Sequence, residues 1–318
     1  MINLNDTEIL SKKAFVFILI NTLVISLIGM ILLVLGLNDA INEFFYDNEI
    51  TFAIFSVITQ LGWYAALVVV VITVFCVYDV RVAKNLLFSV VGSYYINSLL
   101  KDLIQDPTPW TRREEPGFGF PSGHAQNSVA SYGYLSYHAY KKKSIYISWI
   151  FLVLTYLITI SRVIIGSHDV DDVISGLLFG ISFLLIYIYL EPIFSEKLKT
   201  LSFSIKIILA IVIPVVLFII AILVFPSTDN HYGIIGAITG SSVGYLIEND
   251  KIKYNPSEFN NKQKIINLII GLVIVLGLFL LLIYVVPIDH IVWEFFVYLV
   301  LSLLAFLFLP WIFMKIKR

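Results

Sequence analysis

His168 and Asp172 stand four residues apart between two long apolar stretches, with Ser161-Arg162 shortly before them. On a helix, that spacing puts both side chains on one face. A carboxylate beside an imidazole fixes its tautomer and stabilises the charge it gains on attack, which makes histidine a competent nucleophile toward phosphorus. Arg162 can clamp phosphate oxygens with two parallel hydrogen bonds. A histidine that merely caps a helix would explain His168 alone, but not the three residues together.

The second polar segment is Pro121-Ser122-Gly123-His124. It is a turn leading directly into a helix, and helix N-termini bind phosphate through unsatisfied N–H groups and the dipole. Ser122 adds a hydroxyl donor, Gly123 allows close backbone approach, and His124 is free to protonate a leaving oxygen. Gln126, Asn127, Ser128 and Ser131 then make the following span unusually polar, as expected of a helix packed inside a bundle. A further cation, Lys101, lies one span upstream. Asp169 and Asp171 flank the motif and raise a divalent-metal alternative, which is set aside because cations and backbone donors already supply the charge.

These groups must be positioned by a membrane protein. The 318-residue chain is 59% hydrophobic and only 14% charged, against roughly 25% charged in soluble domains. Polar groups at the edge of a membrane are costly to desolvate, so a cluster there marks a site. A spanning helix needs about 20 apolar residues. On that basis, spans are expected near 14–37, 51–78, 83–103, 124–140, 145–166, 171–190, 206–225, 232–247, 265–287 and 292–313. The first reads as an uncleaved anchor. The single cysteine, Cys76, lies inside an apolar run and is expected to be a small buried hydrophobe, with no disulfide framework.

With the N-terminus cytoplasmic, 17 of the 21 lysines and arginines fall on the inner side, as the positive-inside bias requires. The four outer ones are Lys101, Arg112, Arg113 and Arg162, all in the loops that carry the polar motifs. Anion binding accounts for them. The expected architecture is an all-α polytopic bundle. Residues 1–191 form a six-helix core holding every motif, 192–205 an inner linker with Pro192, and 192–318 as a whole a four-helix extension. Gly236, Gly240 and Gly244 recur every four residues in the eighth span, which lets a neighbouring helix approach closely. Packing within the extension is favoured there over a dimer interface. Glu248 to Lys264 reads as a solvated cytoplasmic loop. Tyr46, Trp63, Tyr64, Trp110 and Trp293 fit an interfacial aromatic belt. His138, His231 and His290 read as interfacial or loop residues.

With its motifs in this order and spacing, the sequence resembles the PAP2 (type 2 phosphatidic acid phosphatase) superfamily. Ser161-Arg162, five residues, His168, three residues, Asp172 matches the family's third motif. Pro121-Ser122-Gly123-His124 matches the second. The first, Lys, six residues, Arg-Pro, keeps Lys101 and Pro109 but has Thr108 in place of arginine. The resemblance covers about residues 1–191. It implies that His168 attacks phosphorus to form a phosphohistidine, that Asp172 orients it, and that His124 is the acid for the leaving group. It further implies that Lys101, Ser122, Gly123 and Arg162 bind phosphate oxygens, with no metal or other cofactor. Arg112 or Arg113 is the expected replacement for the missing arginine; the alternative is simple pairing with Glu114 and Glu115.

The expected function is therefore that of a cell-membrane lipid phosphatase. It would hydrolyse a lipid phosphomonoester or a polyprenyl diphosphate, with its active site extracytoplasmic and both termini cytoplasmic. The expected partners are that substrate and the bilayer, with a homodimer possible and no nucleic acid. A transporter or flippase-like protein that binds phosphate without cleaving it is the rival reading. A non-catalytic scaffold would leave both complete motifs unexplained.

Overall fold

The computed structural model describes residues 12–37, 40–41, 43–44, 48–106, 117–224, 231–284 and 291–316. Among these residues the fold is all-α, with no strand. Lipid cannot satisfy backbone N–H and C=O groups, so the chain must satisfy them within helices. Helices lie over all ten expected spans: α1 (Lys12–Val34), α2 (Glu49–Gln60), α3 (Tyr64–Tyr78), α4 (Val80–Ile104), α5 (residues 123–141), α6 (Ile145–Ile164), α7 (Val170–Lys199), α8 (Phe203–Val224), α9 (His231–Ile247), α10 (residues 261–284) and α11 (residues 291–316). Five stretches within α6, α7, α8, α10 and α11 are long and apolar enough to cross a membrane. A sixth is gained if α2 and α3 count as one span.

The single span expected over 51–78 is in fact this broken pair. The chain bends by 50° between α2 and α3, at the Leu61-Gly62-Trp63 turn. The linker expected at 192–205 is also shorter. Pro192 lies inside α7, which continues to Lys199, and only residues 200–202 separate it from α8.

The chain forms two compact units. One comprises Met1–Gln60 with Leu103–Lys197, the other Leu61–Asp102 with Leu198–Arg318. In the first, α5 and α6 make an antiparallel hairpin laced by small hydroxyls. Ser128 Oγ donates to the Ala125 carbonyl (2.9 Å) and lies 3.3 Å from Thr159 Oγ1, while Ser136 Oγ donates to the Ser148 carbonyl (2.8 Å). In membrane helices each such bond contributes only on the order of 0.6 kcal/mol, so close packing matters as much. Helix α7 approaches α5 through Gly176 and Gly180. A Cβ on Gly176 would collide with the Ser122 carbonyl, and one on Gly180 would stand 2.7 Å from the Gln126 carbonyl.

In the second unit, α9 lies against α11 through the predicted glycine face. Gly236, Gly240 and Gly244 meet Phe295, Leu299 and Phe306 respectively. The glycines are thus used for packing within the chain. Cys76 is fully buried and unbridged. The segment from Glu248 to Lys264 is exposed over much of its length but anchored at four points. Glu248, Tyr254, Pro256 and Phe259 are buried, and the Tyr254 ring packs on Phe75, Phe259 and Phe313. Two aromatic anchors outweigh the polar residues around them. Burial pushes the Glu248 carboxyl up to about 7, and it accepts the Tyr254 N–H at 2.7 Å.

Candidate active site

The five residues between Arg162 and His168 form a helix cap. The Ser167 N–H donates to the Arg162 carbonyl and the Gly166 N–H to the Val163 carbonyl, each at 3.0 Å. That is the paired-bond pattern of a Schellman cap, which needs a left-handed residue; Gly166 supplies it at φ +68°. The His168 N–H also donates to the Arg162 carbonyl (3.2 Å). The cap therefore fixes where His168 sits relative to the arginine. The Arg162 side chain is buried, and its Nη1 donates to Thr59 Oγ1 on α2 at 3.0 Å.

His168 lies just before α7, not on it as the spacing had suggested. Its Nδ1 is 3.0 Å from Asp172 Oδ2, and both side chains are no more than 3% exposed. Asp172 is the third residue of α7, and the same oxygen accepts the Asp169 N–H (3.3 Å), as in one half of a capping box. The helix dipole favours a carboxylate at this position. Nδ1 is thus held by the carboxylate, with Nε2 on the other edge of the ring. Ala125, Val163, Val170 and Val173, from the elements that carry the motifs, form a buried apolar cluster.

The Pro-Ser-Gly-His turn is joined to this pair through the backbone. The Ser122 N–H donates to the Asp172 carbonyl at 3.0 Å. Ser122 is the N-cap of α5, yet its hydroxyl makes no capping bond. That hydroxyl is fully buried and has no hydrogen-bond partner among the described residues. A buried polar group normally finds one, which makes this hydroxyl a candidate donor to a ligand. Gly123 and His124 are half-buried beside it, an exposure that suits a residue exchanging protons with water.

Lys101 is half-buried in the last turn of α4 and belongs to the other compact unit. Thr108, Pro109, Arg112 and Arg113 lie outside the described residues, as do Tyr46 and Trp110 of the expected belt. Asp106 follows α4. Burial, then the charges of Asp172 and Asp171, hold its carboxyl above the usual range. Among the described residues no three His, Cys, Asp or Glu side chains are gathered as metal ligands would be; Asp169 and Asp171 are not so placed.

The profile of the PAP2 superfamily matches residues 82–196, and that of the PAP2 superfamily phosphatase transmembrane extension matches residues 232–318. The chain belongs to the PAP2 superfamily. Phosphatidylglycerophosphatase B of Bacillus subtilis (strain 168) is 35% identical over 114 residues, covering 33% of this chain and 53% of that protein. Lipid phosphate phosphatase delta of Arabidopsis thaliana is 30% identical over 120 residues, 32% of this chain and 29% of that one. The chain thus spans about half of the first relative and under a third of the second. A crystal structure of a transmembrane PAP2-type phosphatidylglycerolphosphate phosphatase from Bacillus subtilis aligns with a TM-score of 0.44 at 26% identity, over 59% of this chain and 98% of that one. This PAP2 chain is a multi-pass, all-α membrane protein.

Sequence reasoning passed over four residues that shape the site. Thr59 holds Arg162, Gly166 makes the cap, and Gly176 and Gly180 admit α5. The three glycines carried a readable signal. Gly166 follows the helix that ends in Ser161-Arg162, and Gly176-x-x-x-Gly180 repeats the small-residue spacing noticed in the eighth span.

Proposed function

We propose that the protein is a membrane lipid phosphatase working through a phosphohistidine. His168 Nε2 attacks the terminal phosphorus as its bond to the leaving oxygen breaks, the lipid ester oxygen in a monoester or the bridging oxygen in a diphosphate. His124 gives its proton to that oxygen, and the lipid alcohol, or the shorter phosphate from a diphosphate, leaves. Water then attacks phosphorus and gives a proton to His124 as the phosphorus–nitrogen bond breaks, which releases inorganic phosphate and restores His168. Asp172 holds the imidazole in one tautomer and stabilises its positive charge. Ser122, the Gly123 backbone, Arg162, Lys101 and one of Arg112 or Arg113 neutralise the phosphoryl oxygens in the transition state. Residues 1–191 are the catalytic part and 192–318 a membrane extension. The site opens on the extracytoplasmic face, with both termini cytoplasmic.

The single observation that carries this reading is the 3.0 Å contact of His168 Nδ1 with Asp172 Oδ2, on a residue whose own carbonyl receives the Ser122 N–H. The names of the relatives direct the substrate to lipid phosphates, with phosphatidylglycerol phosphate, phosphatidate and polyprenyl diphosphate as the first to try. The test is phosphate release by the purified protein across such a panel, with sphingoid phosphates included. Turnover of at least one lipid is expected, falling by three orders of magnitude or more in His168→Ala. A panel without turnover, or a variant that keeps its rate, would refute the proposal.

A further inference from the structure

The second unit holds a cavity of about 160 Å³ bordered by α3, α4, α9, α10 and α11. Its wall is apolar, built from side chains such as Ile72, Val275, Phe279 and Phe306. An engineered apolar cavity of ~150 Å³ stays dry and takes up benzene, so this one has room for about six carbons of an alkyl tail. Polar side chains interrupt the wall at Tyr94 and Ser302 and, grouped together, at Tyr64, Glu294 and Tyr298. The last three are mutual neighbours, close enough for the carboxylate to act electrostatically on both phenols. Gly233 leaves space for them, since a Cβ there would stand 2.7 Å from Glu294 Oε1 and 2.8 Å from the Tyr298 ring. Tyr64 is held in place by stacking on Tyr94, with ring centroids 4.6 Å apart.

Glu294 is the ionisable residue of an otherwise apolar segment, Ile291-Val292-Trp293-Glu294-Phe295-Phe296. Such a residue in a membrane helix marks a site by default, and no PAP2 motif includes it. No lysine or arginine lines the cavity, so an anionic headgroup would meet like charge without compensation. The acceptors sit on the apolar wall itself. The ligand's polar group must therefore be a donor attached directly to its tail, which disfavours a phospholipid, whose phosphate comes between.

We infer that this crevice binds an uncharged lipid alcohol, with its hydroxyl on Glu294 and its tail along Val275 and Phe279. The site is separate from the phosphatase machinery and does not depend on turnover. It is tested on the full chain in detergent micelles with decanol carrying a diazirine in its tail. Photolabel is expected on the cavity-facing positions of α3, α10 and α11. Unlabelled decanol should displace the probe at concentrations at least tenfold lower than the uncleavable anion decylphosphonate. In Glu294→Gln that gap should shrink below threefold, and Val275→Phe should abolish labelling. Should Val275→Phe fail to fold, the label map and Glu294→Gln decide. Label spread over lipid-facing positions such as Val292 and Val300, or decylphosphonate or decylamine competing as well as decanol, would overturn the proposal. So would a Glu294→Gln variant with the original gap.

Discussion

Both compact units bring two helices together over glycines, yet they use the closeness differently. In the first, Gly176 and Gly180 admit the N-terminal turn of α5, and what arrives is a polar backbone with a buried Ser122 hydroxyl. In the second, Gly236, Gly240 and Gly244 admit the apolar stretch of α11 from Phe295 to Phe306, and what forms is aliphatic and aromatic packing. Small-residue spacing alone says that two helices touch. Whether chemistry results depends on what the partner helix presents at the crossing.

Five substitutions would break or sharpen that contrast. The largest expected effect is Asp172→Asn, which leaves the Ser122–Asp172 backbone bond in place but presents the wrong partner to His168. Turnover should fall by about 10⁴-fold, in line with the loss when a triad aspartate becomes asparagine, while folding is little changed. A rate within tenfold of the parent would show that the carboxylate is merely a cap.

Next comes a pH effect confined to the second unit. The Glu248 carboxyl is raised from 4.5 to about 7, so the folded state keeps a proton that the unfolded state gives up. The associated stability is fully present below pH 4.5 and is lost as pH rises through 7, at most about 3 kcal/mol. Thermal melts of Glu248→Gln should lack that slope between pH 4.5 and 7. An unchanged slope would place its origin elsewhere.

The glycine contrast is tested directly by Gly176→Ala and Gly240→Ala. Each added Cβ meets a carbonyl, and each should cost roughly 1–3 kcal/mol as overpacking does. Gly176→Ala should also lower kcat, because the Ser122 turn must move; Gly240→Ala should leave it alone. Equal losses of kcat would erase the functional distinction between the two crossings. The smallest effect is expected for Ser122→Ala. Its hydroxyl has no partner among the described residues, so stability should hold or rise slightly, while turnover drops about tenfold for one lost donor to phosphate. A variant that loses stability and keeps turnover would make the hydroxyl structural.

Much of this was readable beforehand because the relevant forces are local. Four-residue spacing joined His168 to Asp172, and apolar length placed the helices. The misreadings have a common physical origin. Glu248 to Lys264 is rich in polar residues, but Tyr254 buries itself against rings contributed by α3 and α11, far away in sequence, and Phe259 packs on Tyr254. Gly62 breaks a span that hydropathy runs straight through. Pro192 marked a linker by its type, yet α7 carries on past it at the cost of one internal bond. Gly176 and Gly180 looked like ordinary members of an apolar run, since their role exists only once α5 lies across them.

The link between the two motif segments runs from one main chain to another, Ser122 N–H to Asp172 carbonyl. Every residue type except proline offers that donor, and every type offers that acceptor. The register of the two segments is thus insulated from most changes of side chain at either end. A lineage could rewrite the chemistry of these positions, or lose it, and still inherit the same scaffold.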